Sequence, residues 1–338
     1  MTLEQLRTFR VIARLGSFTQ AAAALNLTQP AVSSQIGALE TALSVKLFDR
    51  LGKRIALTPE GRIVLNAAAD ILHRVDEMRG ALADLEGLRT GRLRVGASLV
   101  VGVYLLPEIV GRFKKHYPHI DVGLRIERAH RIIDLIMGNE LDIGLVGEGS
   151  PVTDERLVLR PLMRDELVVI TPPRHRLAGH GAIGPGELSR EPFIIPARDF
   201  ATSEVILQRI AAAGLKLPVP LELGNIEAVK KAVEAGLGIS IVSRCAVQRE
   251  IDAGTLKALR VRGVPLNRQF FYCWRKGKEP SNAARAFIDL LNQSVASAAP
   301  APIATRQRAA RSGPLAGSAA EVKGERSGAR RFVPDGER

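Results

Sequence analysis

The sequence predicts an α/β protein in which a small helical module precedes a two-lobed α/β body. Three observations lead to this prediction. Residues 17–43 have the pattern of two short helices joined by a tight turn, residues 58–88 that of one long helix, and residues 91–296 alternate between strand-like and helix-like segments. Such alternation predicts a parallel sheet with helices on its faces.

The composition is that of an ordinary globular chain with a basic surplus. The chain has 338 residues, which is long enough for two or three domains. Hydrophobic residues make up 46% of the chain and charged residues 25%. The net charge of +13 favours a polyanionic partner. Neither a leader sequence nor an apolar run of membrane-spanning length is evident. We therefore expect a cytoplasmic protein without a membrane partner.

The first helices are predicted from their caps. Thr2 and Gln5 form the pattern of a capping box, and the helix that follows ends at Gly16. Ser17 and Gln20 repeat the capping box before a second helix with four consecutive alanines. Thr28 then caps a third helix whose first turn accommodates a proline. Only two or three residues separate the last two helices, which predicts a helix-turn-helix.

The third helix has two different faces. One face is apolar and carries residues at spacings of four, three and four, namely Val32, Ile36, Leu39 and Leu43. The opposite face is short, polar and uncharged, and carries Gln29, Ser33, Ser34 and Gly37 with Thr28 and Gln35 at its margin. Amide and hydroxyl groups suit contact with base edges in the major groove. An ordinary helical hairpin in a core would show the same pattern, so the flanking residues must distinguish a DNA-binding helix-turn-helix from such a hairpin.

A basic hairpin follows. Leu51-Gly52-Lys53-Arg54 has the pattern of a hairpin tip, with Lys46 and Arg50 nearby. Beside a recognition helix, such a tip suits contact with the DNA backbone or minor groove. Without the preceding helices, a solvated turn would be the better interpretation.

A long helix is predicted from Thr58 to about Leu88. Thr58-Pro59-Glu60 is a strong helix start. Apolar residues then recur over three heptads, at Val64, Ala68, Ile71, Val75, Met78, Leu82 and Leu85. At about 1.5 Å per residue the helix is ~45 Å long, too long to pack wholly on the small module. We predict a coiled-coil dimer, with burial against the next domain of the same chain as the alternative.

The body from residue 91 is predicted as two sets of strands and helices. The first set is strand 93–97, helix 101–117, strand 120–126, helix 128–138 and strand 141–146. The second set is strand 166–171, strand 193–196, helix 203–213, strand 219–223, helix 226–235, strand 238–242 and helix 246–251. Strand 269–274 and helix 282–291 complete the fold. Extended segments near 160–166 and 264–271 would join two lobes across a cleft.

Little in the sequence favours an enzyme. The six histidines have no metal-ligand spacing with Cys or carboxylates, and both the P-loop and the nucleophile-elbow motifs are missing from the sequence. We expect no cofactor and no metal. Cys245 and Cys273 predict two reduced, packed thiols, with a redox-sensing pair as the minor alternative. Residues 297–338 predict a disordered basic tail, which either adds non-specific nucleic-acid affinity or has no function.

The N-terminal residues resemble a known family. Leu3-Glu-Gln-Leu-Arg-Thr-Phe9, Gly16-Ser-Phe-Thr-Gln-Ala-Ala22, Thr28-Gln-Pro-Ala-Val-Ser33 and Leu57-Thr58-Pro-Glu-Gly61 resemble the signature of LysR-type transcriptional regulators. Residues up to about 295 are similar to their effector-binding domain. The resemblance implies a winged helix-turn-helix, a linker-helix dimer that often forms tetramers, and a body like a periplasmic binding protein. Its partners would be double-stranded DNA, a small-molecule effector, a second copy of the chain and RNA polymerase.

The resemblance also assigns boundaries. It implies a DNA-binding domain over 1–58, a linker helix over 59–90 and an effector-binding domain over 91–296. Lobe I would comprise 91–163 and 268–296, and lobe II 164–267. Ser44 departs from the family, which usually has glycine there. Leu93-Arg-Val-Gly-Ala-Ser98 and Tyr104-Leu-Leu-Pro107 look most like regulators of carbon-fixation or sulfur-assimilation genes, which suggests a small anionic effector.

Candidate site residues follow from these patterns. The predicted DNA-binding residues are Thr28, Gln29, Pro30, Ser33, Ser34, Gln35, Arg50, Lys53 and Arg54. At the cleft, the hydroxyl of Ser98 and the amides of Leu99 and Val100 open a helix and could bind an anion, as could Thr202 and Ser203 in the other lobe. Weaker candidates at strand or helix ends are Gly147, Glu148 and Asn225. The alternative is that these residues only cap their helices.

Overall fold

The structure is a computed structural model, which describes residues 1–51, 54–84, 91–149, 154–198 and 200–297. The predicted tail lies outside this part of the chain from residue 298 onward. Within the described ranges, no helix is long and apolar enough to cross a membrane. Residues 1–300 form one compact unit, so the domain boundaries proposed within it stay predictions.

The N-terminal module has the predicted helices and hairpin. Its elements are α1 (Leu3–Leu15), α2 (Phe18–Leu25), α3 (Gln29–Leu43), β1 (Phe48–Leu51), β2 (Arg54–Leu57) and α4 (Pro59–Asp84). Thr2 and Gln5 form both bonds of the capping box, and Gly16 ends α1 in the left-handed conformation. At α2 only half of the predicted box forms: the Gln20 amide donates to Ser17 Oγ at 3.3 Å. The Ala31 amide donates to Thr28 Oγ1 at 3.4 Å.

A single apolar core joins these elements. It is built by Leu6, Phe9, Ile12, Ala21, Ala22, Val32, Ile36, Leu39, Leu47, Ala68 and Leu72. The ring of Phe48 packs on Phe9 and Phe18, with centroids 5.3 and 5.7 Å apart. The first turns of α4 therefore belong to the core of the helix-turn-helix, and the polar face of α3 is left outward.

The turn after α3 is strained at Ser44. This residue ends the helix with φ 55° and ψ 31°, in the left-handed region. A side chain in that region costs roughly 1–2 kcal/mol, which glycine avoids. The departure noted in the sequence therefore falls on a position whose backbone favours glycine.

We expect Ser44→Gly to raise the free energy of unfolding of the module by about 0.5–1 kcal/mol, because relief of strain exceeds the added entropy of the unfolded glycine. Hydrogen exchange of the α1–α3 amides measures this change. Ser44→Ala keeps the strain and should be no more stable than the wild type. Equal stability of the glycine variant and the wild type would contradict the argument.

The linker helix α4 divides its apolar stripe between two surroundings. Ala68 is buried in the module core, whereas Ile71 is 39% and Met78 57% exposed. Leu85 lies beyond the described residues, as does the side chain of Leu82. Since the exposed members have no cover within the described chain, the predicted coiled coil stays a proposal.

The body contains the predicted alternation of strands and helices. Its first half consists of β3 (Gly91–Ala97), α5 (Leu99–Tyr104), α6 (Leu106–His116), β4 (Ile120–Ile126), α7 (Ala129–Met137), β5 (Ile143–Gly147) and β6 (Leu157–Thr171). Next come β7 (Ala182–Ile183), α8 (Pro185–Leu188), β8 (Ile194–Pro196), α9 (Ala201–Ala212), β9 (Leu221–Leu223), α10 (Ile226–Glu234) and β10 (Ser240–Ser243). The last elements are a 3₁₀ helix (Arg244–Ala246), α11 (Gln248–Ala253), β11 (Lys257–Val261), β12 (Asn267–Arg275) and α12 (Asn282–Ser297).

Several predicted elements need correction. The single helix over 101–117 is two helices that meet at Leu105, because Pro107 has no N–H to continue the ladder. The extended segments near 160–166 and 264–271 fall largely within β6 and β12, which are long paired strands. The helix over 246–251 is a 3₁₀ turn followed by α11. The short elements β7 and α8, and the strand β11, were missed.

Two long antiparallel strands connect the lobes, so the main sheet is mixed and not parallel as the sequence predicts. β6 pairs with β12 from Leu157 to Glu166 and then with β10 and β11 up to Thr171. β12 also pairs with β5, which continues the sheet through β3 to β4. Apolar residues cluster separately on either side of this crossing. We call the side with β3, β4 and β5 lobe I and the side with β8 to β11 lobe II.

Candidate functional site

The outward face of α3 carries the predicted polar residues. Thr28, Gln29, Pro30 and Ser34 are exposed, and Ser33 is half-buried. Gln35 is different, because its Oε1 accepts a hydrogen bond of 2.5 Å from the buried Thr8 hydroxyl of α1. Thr28 uses its hydroxyl as the cap of α3. The outward face thus presents short polar side chains on the first two turns of α3, whereas Gln35 is hydrogen-bonded to Thr8 within the module.

The hairpin is anchored to the base of α3. The Lys46 ammonium and the Leu47 amide both donate to the Glu40 carboxylate, each at 2.8 Å. Burial would raise the pKa of Glu40, but these hydrogen bonds outweigh it and lower the pKa. β1 and β2 pair in the register Leu51 with Arg54. Lys53 and the side chains of Arg50 and Arg54 lie outside the described residues.

A cavity of about 440 Å³ lies between the lobes. We call it the interlobe cavity. The starts of four helices, α5 and α7 from lobe I and α9 and α10 from lobe II, contribute to its wall. The positive ends of helix dipoles favour negative charge. The wall also contains three arginines, Arg128, Arg198 and Arg268, against the carboxylates Glu127 and Glu204.

Six of the eight predicted cleft residues line this cavity, namely Ser98, Leu99, Val100, Gly147, Thr202 and Asn225. Ser98 precedes α5 but its hydroxyl makes no capping hydrogen bond. Asn225 does cap, since its Oδ1 accepts from the Ala228 amide at 2.8 Å. The capping alternative therefore fits Asn225 and does not fit Ser98.

Glu148 and Ser203 have other roles. The Glu148 carboxylate accepts from Arg209 at 2.6 Å and from the Gln269 amide at 3.0 Å. Ser203 is fully buried and donates to the Pro196 carbonyl at 2.8 Å. The reason is that α9 begins at Ala201 rather than Ser203, which turns Ser203 into the core. Neither residue lines the cavity, so the structure lends no support to their predicted role as effector contacts.

Arg268 lines the cavity and is among the lining residues that the sequence patterns do not predict. Its Nε donates to Asp165 Oδ2 at 2.8 Å, and its Nη1 donates to Thr202 Oγ1 at 2.6 Å. The Arg268 and Asp165 side chains are 2% and 3% exposed. Arg268 Nη2 is buried, and among the described residues it has no hydrogen-bond partner. A signal existed in the sequence, because Arg268 alternates with Phe270 and Tyr272 on the buried face of β12.

Further contacts join the lobes around the cavity. The Tyr104 hydroxyl of lobe I donates to Glu227 of lobe II at 2.5 Å, and burial raises the pKa of this tyrosine. The Arg128 guanidinium lies 5.3 Å from the ring centroid of Phe200. Glu148 and Arg209 form a third contact. Polar and charged side chains thus contribute contacts between the lobes around the cavity.

The cysteines are free thiols. Cys273 is buried and Cys245 half-buried, and burial raises the pKa of each to about 12. A thiol with so high a pKa carries little thiolate at neutral pH and reacts poorly. Across the described ranges, no group of His, Cys, Asp and Glu could hold a metal ion.

Comparison with known proteins identifies the family. The family described as "Bacterial regulatory helix-turn-helix protein, lysR family" matches residues 3–62, and "LysR substrate binding domain" matches residues 86–296. The chain belongs to the LysR family of transcriptional regulators. It is therefore a DNA-binding regulator with an effector-binding domain, and its relatives are regulators rather than enzymes.

Relatives concerned with carbon fixation stand out. The transcriptional activator CmpR of Synechocystis is 36% identical over 290 residues, which cover 86% of the regulator and 94% of CmpR. Others, at 34% to 37% identity, are named RuBisCO transcriptional regulators. These names match the carbon-fixation subgroup suggested by the sequence, and not the sulfur-assimilation alternative.

Solved structures agree with the fold. Full-length OxyR C199D from Pseudomonas aeruginosa has a TM-score of 0.68 at 23% identity, over 87% of the regulator and 94% of that chain. The Synechocystis CcmR regulatory domain, solved in complex with 2-PG (2-phosphoglycolate), has a TM-score of 0.56 at 30% identity. It covers 61% of the regulator and 98% of that chain.

Proposed function

We propose that a small anionic metabolite, bound in the interlobe cavity, controls the regulator. The observation that carries this proposal is Arg268, a buried arginine in the cavity wall whose Nη2 has no hydrogen-bond partner among the described residues. An unsatisfied buried donor costs about 1–3 kcal/mol, and more when it is charged. A carboxylate or phosphate oxygen in the cavity would remove that cost through a charge-assisted hydrogen bond.

Other features of the cavity support an anion of small size. Ser98 keeps its hydroxyl free of the cap and lies with Leu99 and Val100 at the start of α5. A volume of about 440 Å³ suits a small metabolite. The similar CcmR domain was solved with 2-phosphoglycolate, which is a small anion. Ser98, Leu99, Val100, Gly147, Thr202, Asn225 and Arg268 are the proposed effector contacts.

On the DNA side, we propose that Gln29, Ser33 and Ser34 contact base edges while the hairpin contacts the DNA backbone or minor groove. Gln29 and Ser34 are exposed and Ser33 is half-buried, and the polar, uncharged side chains of all three support contact with base edges. Thr28 would contact a phosphate and Gln35 a base or an adjacent phosphate, and Pro30 would lie beside them at the DNA in the first turn of α3. Arg50, Lys53 and Arg54 are assigned to the hairpin contacts from the family resemblance.

We also propose that the regulator acts as a homodimer, which pairs further into a tetramer, in the cytoplasm. The exposed Ile71 and Met78 on α4 support a helix-helix contact between two copies. Two copies would place two recognition helices in successive major grooves. RNA polymerase is the proposed partner at the promoter.

Calorimetry with full-length protein tests the effector site. We expect 2-phosphoglycolate to bind and glycerol, which is uncharged, not to bind. Arg268→Lys keeps the charge but loses the forked hydrogen bonds, and should weaken binding by roughly 10–100-fold. Ser98→Ala, which spares the buried ion pair, should weaken it by about 2–10-fold.

Arg131→Gln is the matched control, because Arg131 lies on α7 next to the lining residue His130 without lining the cavity itself, and its side chain is 51% exposed and paired with Asp134. It should change the affinity by less than about threefold. If the wild type binds neither 2-phosphoglycolate nor inorganic phosphate, the proposal of an anionic effector is wrong.

Binding to a library of genomic fragments at fixed salt tests the DNA face. We expect selective footprints that the double variant Ser33→Ala/Ser34→Ala weakens. Uniform binding that depends strongly on salt and ignores the double variant would assign the affinity to basic segments instead.

A further inference from the structure

The linker helix contacts lobe I of the same chain through one carboxylate. Asp70, midway along α4, accepts a hydrogen bond of 2.7 Å from Asn139 Nδ2. It also pairs with the Arg275 guanidinium, which donates through both Nη1 and Nη2. We call Asp70, Asn139 and Arg275 the Asp70 junction. It joins the helix that carries the DNA-binding module to the last residue of β12 and the end of α7.

The Asp70 junction includes an unusual backbone conformation in lobe I. Asn139 is 3% exposed and has a φ of 53°, in the left-handed region that asparagine tolerates better than most residues. Arg275 Nη1 also lies 3.4 Å from the carbonyl of Met137, at the end of α7. A backbone conformation of this kind persists where its surroundings hold it. The two donors to Asp70 are therefore fixed by the fold of lobe I rather than by long, mobile side chains alone.

Both elements that hold these donors begin at the interlobe cavity. β12 places Arg268 at the cavity and Arg275 at the junction, about 23 Å apart at ~3.3 Å per residue. Residues Arg128, Ala129 and His130, at the start of α7, line the cavity, and α7 runs about 13 Å to Met137. A helix and a paired strand move as rigid pieces. The connection from the cavity wall to each donor thus lies within β12, which has one register irregularity at Phe270 and Phe271, or within α7 and the two residues after it.

We propose that the Asp70 junction is the contact through which the effector domain sets the position of the linker helix, and that a ligand in the cavity acts on DNA binding through it. This inference rests on the proposed effector site and concerns its regulation. Asp70 is on α4 and its neighbours Ala68 and Leu72 are in the module core. Movement of Asp70 therefore moves the helix-turn-helix with it.

The test measures a coupling factor in the full-length protein: the ratio of the DNA dissociation constants without and with saturating 2-phosphoglycolate. The DNA is the fragment selected from the genomic library. For the wild type we expect a factor, in either direction, of about 5–150. Asp70→Asn and Arg275→Gln should each bring the factor to within about twofold of one. Affinity for 2-phosphoglycolate without DNA should change by less than about twofold, because neither residue lines the cavity.

The double variant Asp70→Asn/Arg275→Gln should lose no more of the coupling than either single variant, because the two single variants and the double variant all break the same contact. Asp134→Asn is the control. It removes a carboxylate from α7 that pairs with Arg131 at 4.0 Å on the same helix, and it should keep the wild-type factor.

The outcomes separate the two proposals. Wild-type binding of the anion with full coupling in both single variants would overturn the junction and leave the effector site intact. If the wild type binds the anion but has a coupling factor of one, the junction proposal is also overturned, because the anion then has no effect on DNA binding. Failure of the wild type to bind any of the anions would contradict the effector site itself.

Discussion

Replacing Asp165 by asparagine should lower the free energy of unfolding of the effector-binding domain by about 3–5 kcal/mol. The substitution keeps the shape of the side chain but leaves the Arg268 guanidinium as an uncompensated buried charge. It also turns an amide donor toward Arg268 Nε, or forces the Ser243 hydroxyl, which donates to Asp165 Oδ1 at 2.6 Å, to lose its acceptor. The pair is almost fully buried, so water cannot replace either bond.

Urea denaturation followed by the fluorescence of Trp274 measures this effect, because the chain has one tryptophan and it lies on β12. Asp154→Asn is the matched control. Its carboxylate is also held by an arginine, Arg156, whose hydrogen bonds lower the Asp154 pKa to about 2, but the Asp154 side chain is 24% exposed and its arginine partner 72% exposed. We expect no measurable change there. Similar losses in the two variants would contradict the role of burial.

Substitution of Gly61 by alanine should destabilise the DNA-binding module by about 2–3 kcal/mol. A Cβ atom on Gly61 would lie 2.2 Å from the Leu47 carbonyl oxygen. The helix and the segment before the hairpin would have to separate, and the hydrogen bond from the Thr58 hydroxyl to the Lys46 carbonyl, 2.7 Å long, would stretch. Leu47 would also move out of the module core.

Gly37→Ala gives a matched comparison within the same module. Gly37 lies in α3 with no atom within 4 Å of the position of a Cβ. There alanine should stabilise the helix by about 0.5–1 kcal/mol. Hydrogen exchange of the α1–α3 amides reports both variants. Destabilisation by both substitutions, or by neither, would show that the close approach at Leu47 is not the cause.

Local signals in the sequence account for most of the DNA-binding module. Thr2, Gly16 and Thr28 mark helix ends by their own chemistry, and spacings of three and four residues mark the buried faces, so these features need no distant partner. The second capping box failed at Gln20 because a cap depends on a side-chain conformation that sequence spacing does not fix. The sequence likewise predicts a DNA contact for Gln35 and carries no sign of its hydrogen bond with Thr8, 27 residues away.

In the body, the sequence determined the alternation of strands and helices, the family and the placing of Ser98 and Thr202 at a cleft, because strand and helix periods and helix starts are local properties. Only the tertiary structure decided that Arg268, Asp165 and Thr202 meet, that Glu148 and Ser203 turn away, and that Asp70 is held by Asn139 and Arg275. These contacts join residues as far as 205 positions apart. Such pairs depend on how whole elements pack, and no local pattern in one sequence encodes which buried charge will find which partner.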